Sequence, residues 1–175
     1  MSKKGVKMRK AFTMLELVFV IAVIGILAAV AVPKFSATRD DATITRASST
    51  LASIRSAISQ EAQRRQMEGN YTAIKNLGGS IDGNDKPIFN YFDYTGDGSN
   101  LPANLVRVLD YPPHSCLTAT STSCWMRRAD SGNQGVYVYK FAPGVGSGGD
   151  AMFKVDNNRF DCVQGHETQC RILER

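Results

Sequence analysis

The sequence predicts an α+β fold, with one long N-terminal helix laid on a small antiparallel β-sheet. Three observations predict it. Residues 12–68 keep helical hydrophobic patterning with no turn dipeptide, residues 69–110 are dense in turn signals, and short β-favouring segments follow from Val136 onward. A chain of 175 residues suffices for one domain of ordinary size. Its 21% charged and 9% aromatic residues are those of a folded protein. No repeat period suggests a solenoid.

The helix begins beside an uneven charge distribution. The formal net charge is +5, and residues 1–11 hold Lys3, Lys4, Lys7, Arg9 and Lys10 with no acid. That leaves 16 bases (21 − 5) against 16 acids in the rest of the chain, which is neutral. The basic start runs into an apolar stretch, residues 12–32, whose strongly polar members are Thr13 and Glu16. This length is close to the ~20 residues that cross a bilayer as a helix. An ordinary secretory signal, cut after Ala29-Val30-Ala31, is the alternative reading. Glu16 opposes it, because a carboxylate inside an apolar run costs roughly 2.5 to 3.5 kcal/mol on insertion scales, a cost without benefit in a discarded signal. The helical pattern also continues past that cut.

Beyond Pro33 the pattern becomes amphipathic. Ile44, Ala47, Leu51, Ile54, Ile58 and Ala62 recur at intervals of three and four, with Arg46, Arg55, Ser56, Gln63 and Arg64 on other faces. Gly69-Asn70 marks the stop. One helix over residues 12–68 is therefore expected, about 85 Å long at ~1.5 Å per residue. Kinks are expected at Gly25 and Pro33. The amphipathic stripe is first of all a core face.

The segment Lys10-Ala11-Phe12-Thr13-Met14-Leu15-Glu16-Leu17, followed by an apolar run holding Gly25 and Pro33, resembles the N-terminus of type IV prepilins and type II secretion pseudopilins. The resemblance covers residues 1–35 closely and the helix to residue 68 in a general way. It departs at one position, where Ala11 stands in place of the family's usual Gly; alanine is also small. The resemblance implies cleavage by a prepilin peptidase between Ala11 and Phe12, and N-methylation of Phe12. It further implies that Glu16 guides assembly by pairing with the amino group of a neighbouring subunit. On this reading residues 1–11 are a basic leader held in the cytoplasm, 12–33 a transmembrane and polymerisation helix, 34–68 an amphipathic helix, and 69–175 a periplasmic α+β head of pilin-like fold. Single-pass anchoring in the inner membrane is implied, or an extracellular position within a pilus. The implied partners are other pilins or pseudopilins, the peptidase and an inner-membrane assembly platform.

In the head, Val136 to Phe141, Ala151 to Val155, Arg159 to Val163 and Cys170 to Leu173 are expected as strands, with Asp156-Asn157-Asn158 as a tight hairpin turn. Cys116 and Cys124 are separated by seven residues, as are Cys162 and Cys170. Local bridges 116 with 124 and 162 with 170 are favoured because each closes a short loop, while the crossed pairings stay open. A metal alternative at Cys162, His166 and Cys170, with His114 before Cys116, has looser spacing than usual zinc sites. Calcium is a further candidate ligand, since the major type II secretion pseudopilin is known for a calcium site. Its candidate ligands here are Asp82, Asp85, Asp93 and Asp97, and separately Asp150 and Asp156, though none forms a complete calcium-loop motif. No other cofactor is expected.

Enzymatic readings find no support. There are two histidines, and neither a G-x-S-x-G nor a P-loop pattern. Trp125-Met126-Arg127-Arg128 is too small a basic and aromatic cluster to argue for a nucleic-acid site in a chain neutral beyond its leader. The expected role is that of a structural subunit of a type II secretion or type IV pilus-like filament, serving protein secretion, DNA uptake or adhesion. A minor tip subunit that binds a substrate through its loops, or a secreted periplasmic protein, are the competing classes.

Overall fold

The structure is a computed structural model and describes residues 12–79, 83–94, 106–128 and 135–175. The chain divides into two compact units, Met1–Arg39 and Asp40–Arg175. Helix α1 spans Met14–Met67 and is helical at both Gly25 and Pro33. Strands β1 (Cys124–Arg128), β2 (Val136–Lys140), β3 (Ala151–Asp156) and β4 (Arg159–Cys162) follow, then the short helix α2 (Glu167–Leu173). The four strands lie in the order β1-β2-β3-β4, each antiparallel to the next, so the sheet is a simple meander. The α+β architecture is pilin-like, as the sequence predicts.

Both ends of α1 follow local chemistry. At the C-terminus Gly69 adopts φ 74°, its N–H bonds the Gln66 carbonyl, and Asn70 N–H bonds the Arg65 carbonyl at 2.8 Å. This pair of bonds is the Schellman closure that glycine permits. Within the second unit the predicted stripe is a core face: Ala47, Leu51, Ile54 and Ile58 are buried, Ile54 completely. They share one apolar cluster with Trp125, Tyr137, Tyr139, Phe153, Val155 and Phe160 of the sheet. Burying a single leucine or isoleucine side chain is worth about 1.5–3 kcal/mol. Directional bonds fix the register of this packing, since the Tyr139 hydroxyl donates to the Thr43 carbonyl at 3.2 Å and Arg55 Nε donates to the Phe160 carbonyl at 3.1 Å.

The β3–β4 hairpin turns where the sequence places it. Asp156 pairs with Arg159, and Asn157 and Asn158 take φ 46° and 59°. Positive φ at both central residues is the twist-matched two-residue turn that asparagine tolerates. Asn158 also accepts the Ile74 N–H at 2.7 Å, which ties the turn to the chain leaving α1.

One expectation is corrected. Cys170 to Leu173 is not a strand but part of α2, whose Cys170 and Leu173 are buried one turn apart. Four residues are too few to display a period, and the helix is favoured by the Glu167 carboxylate receiving the Gly165 N–H at 3.0 Å. That backbone bond, chiefly, holds Glu167 below the ordinary carboxylate value. Trp125-Met126-Arg127-Arg128, for which the sequence suggests no strand, lies in β1 with Trp125, Met126 and Arg127 buried. The described residues between α1 and β1 are poor in regular structure, as expected, yet they contribute Ile74, Leu77, Ile88, Phe89 and Phe92 to the core.

Candidate functional site

The first turn of α1 is built by a threonine. The Thr13 carbonyl accepts the Leu17 N–H at 3.2 Å, the first helical bond, and its hydroxyl accepts the Glu16 N–H at 3.2 Å. Thr13 is thus the N-cap, and Thr13-Met14-Leu15-Glu16 has the Thr-x-x-Glu spacing of a capping box. Phe12 stands outside the helix and is 84% exposed. The Glu16 carboxylate has no ion pair or hydrogen bond among the described residues.

Beyond this turn the helix is apolar on every side and covered on none. Met14–Val32 is long and apolar enough to cross a membrane, and none of it is buried. Among its large side chains the least exposed is Val23, at 39%. A β-carbon placed at Gly25 would meet nothing within 4 Å. A helix that is hydrophobic all round requires an apolar surrounding, either lipid or other helices.

The second unit holds a different kind of cluster. The stripe Ala47, Leu51, Ile54, Ile58 continues on the same spacing into Glu61 and Arg65, both buried. Glu61 receives Arg64 Nη2 at 2.7 Å and the Tyr94 hydroxyl at 2.6 Å, while the Arg65 guanidinium lies 3.6 Å from the centre of the Tyr94 ring. Burial pushes the Glu61 carboxyl up, but the hydrogen bonds from Arg64 and Tyr94 and the charges of Arg64 and Arg65 outweigh it, and the net shift is downward. Burial first, then the bond to Glu61, pushes the Tyr94 hydroxyl up to about 12, so it remains the donor. Such a buried polar set favours one arrangement of the chain leaving α1. Sequence reading missed it because Arg64 and Glu61 look like an ordinary exposed pair; the signal was the unbroken three-and-four spacing.

The remaining candidates are scattered through the head. Cys116 is bonded to Cys124 and Cys162 to Cys170, the two local pairings. The thiolates that a metal alternative needs are therefore consumed, and His166 Nδ1 lies 2.9 Å from the Asp150 carbonyl. Asp93 is buried beside Asn76, and the Asp150 carboxylate lies 3.9 Å from Lys140 Nζ. Asp156 closes β3, and Asp85 pairs with His114 at 3.1 Å. Among the described residues no three His, Cys, Asp or Glu side chains converge on one point. Ala11, Asp82 and Asp97 lie outside the described residues.

A family model, the prokaryotic N-terminal methylation motif, matches residues 6–32. Searches of curated proteins and of solved structures find no match to the chain. The matched residues contain the Thr13 cap, Glu16 and nearly all of the uncovered apolar helix. The chain carries the prokaryotic N-terminal methylation motif that is the hallmark of type IV prepilins and pseudopilins.

Proposed function

We propose that this protein is a structural subunit, pilin-like or pseudopilin-like, and that it works as a polymer rather than as an enzyme. A prepilin peptidase removes residues 1–11, the new amino group of Phe12 is methylated, and residues 12–33 hold the subunit in the inner membrane until it joins a filament. The head, with its two disulfides, lies on the periplasmic side, where such bonds persist. The observation that carries this reading is the coincidence of the matched motif with a helix whose apolar side chains are exposed on all faces.

The chemistry of assembly follows from two charges. Cleavage creates an ammonium on Phe12, and Glu16 brings a carboxylate into the same apolar zone. Each is costly alone among lipid or packed helices, and much less so when paired. Pairing between neighbouring subunits fixes the axial offset of one helix on the next. The motif is what supports membership in a type II secretion or type IV pilus-like machine.

Intact mass and N-terminal sequencing of the membrane-extracted protein test the reading. The expected product has 164 residues (175 − 11) and begins with N-methylated Phe12. A mature protein beginning near Val32 instead identifies a secretory signal and removes the proposal.

A further inference from the structure

We infer that Asn70 is an acceptor for an N-linked glycan. In Asn70-Tyr71-Thr72 the asparagine is followed by a residue other than proline and then by threonine, and no other asparagine of the chain has serine or threonine two residues on. Glu68 stands two residues before it, so Glu68-Gly69-Asn70-Tyr71-Thr72 also has the acidic position of the bacterial form of this acceptor motif. The inference rests on the proposed periplasmic placement of the head. The donor class is a glycan carried on a polyisoprenyl diphosphate, and the catalyst is a membrane oligosaccharyltransferase. Asn70 Nδ2 attacks C1 of the first sugar, the C1–O bond to the diphosphate breaks as the N–C1 bond forms, and the proton lost from the amide goes with the diphosphate. No oxidant or reductant is needed.

A three-residue motif can serve as an acceptor only where it lies on a surface loop, and the fold supplies that setting. α1 ends at Met67, the closure at Gly69 turns the chain out of the helix, and residues 70–75 belong to no helix or strand. Asn70, Tyr71 and Thr72 are all exposed. The segment is held at both ends: Asn70 N–H bonds the Arg65 carbonyl at 2.8 Å, and the buried Ile74 donates its N–H to Asn158 Oδ1 at 2.7 Å. Between these anchors Thr72 N–H donates to Asn70 Oδ1 at 3.1 Å, the turn an asparagine makes with the backbone two residues on. That bond engages the carboxamide oxygen and leaves Nδ2, the atom that must react, without a partner among the described residues. Glu68 lies on the same open surface, its side chain 55% exposed and paired with Arg64 at 2.5 Å. Met67 and Tyr71, 88% and 80% exposed, flank the site, and a bulky, solubilising glycan gives this apolar surface a polar cover.

The test is peptide mapping by mass spectrometry of the whole protein, extracted from membranes of the cells that make it, for wild type and for Asn70→Gln, Thr72→Val and Thr72→Ser. Trypsin, cutting after Arg65 and Lys75, releases residues 66–75 as one peptide. In wild type this peptide is expected to carry a glycan mass that fragmentation places on Asn70. Asn70→Gln and Thr72→Val are each expected to lower its occupancy at least about tenfold, and Thr72→Ser, which keeps the hydroxyl, to stay within about threefold of wild type. A bare wild-type peptide overturns the inference. So does occupancy that Thr72→Val leaves unchanged, or a glycan that survives Asn70→Gln, which identifies an O-linked sugar on a neighbouring hydroxyl. Thiol counting on the same sample tells the two possible failures apart. A bare Asn70 in a protein with both disulfides formed fails this inference alone, whereas a bare Asn70 with all four cysteines free removes the periplasmic placement and the inference with it.

Discussion

The two parts of α1 use the same apolar residue types to opposite ends. Residues 14–32 carry them on every face and bury none, whereas residues 44–58 confine them to one stripe and bury nearly all of it. Hydrophobic content therefore does not decide whether a helix belongs to a core; periodicity does. A stripe matches a sheet supplied by the same chain. A uniform cylinder matches only a surrounding that is apolar in every direction, which on the proposed reading is first lipid and then sister helices.

Four perturbations separate these behaviours. The largest effect is expected from Glu16→Ala, which should reduce filaments recovered by shearing at least tenfold while leaving the thermal unfolding of the head unchanged. Normal filament yield would contradict the pairing of Glu16 with the neighbouring amino group. Next comes a matched pair of truncations in detergent-solubilised protein. Ile54→Ala, at a fully buried site, should lower head stability by about 2–5 kcal/mol, and Leu27→Ala, at a side chain 64% exposed, by less than about 0.5 kcal/mol. Equal effects in urea unfolding would erase the distinction between the two halves. Third, removing the Cys162–Cys170 bridge as the double serine variant should cost about 2–3 kcal/mol, the loop-closure value for a separation of 8 residues, again without changing membrane retention.

The smallest effect concerns Glu61. Its carboxyl is held below the ordinary value of 4.5 in the folded protein, so its ionised form stabilises the fold above that pH, and the contribution is lost as pH falls through the lower folded value. Glu61→Gln should cost about 1–2 kcal/mol at pH 7, and the gap from wild type should narrow as the pH falls below 4.5 and through the lower folded value. Urea titrations at pH 7 and pH 3 measure both. A gap that persists unchanged at pH 3 would mean that side-chain shape, not charge, holds the cluster.

How much of this was legible beforehand depended on the length scale of the signal. The helix is readable because more than fifty residues run without a turn signal, first uniformly apolar and then striped, and its end because Gly69-Asn70 has a mechanical reason to close it. The β3–β4 turn was readable from Asn157 and Asn158 for the same kind of reason. Cys170 to Leu173 is misread because an apolar run of that length suits either secondary structure, and the Glu167–Gly165 bond, the tether to Cys162 and the burial of Cys170 and Leu173 decide for the helix. Trp125 to Arg128 was missed as a strand because two arginines disguised it. Arg127 is buried, yet its Nη1 donates to the Gly79 carbonyl at 2.9 Å, a long-range contact with no local trace. At the N-terminus, the motif residues were readable, but the capping role of Thr13 emerged only from geometry.

The meander carries a consequence for the order in which the molecule can be completed. Every strand pairs with its neighbour in sequence, so the sheet forms from hairpins closed over short stretches of chain. The stripe of α1 has no such local partner. Arg55 bonds the Phe160 carbonyl 105 residues away and Glu174 at a separation of 119. A chain made from its N-terminus exposes that stripe early and completes its cover only when β4 and α2 arrive. The interval between the first turn of the helix and the final turn of α2 is thus the period in which a newly made subunit is most prone to stick to another.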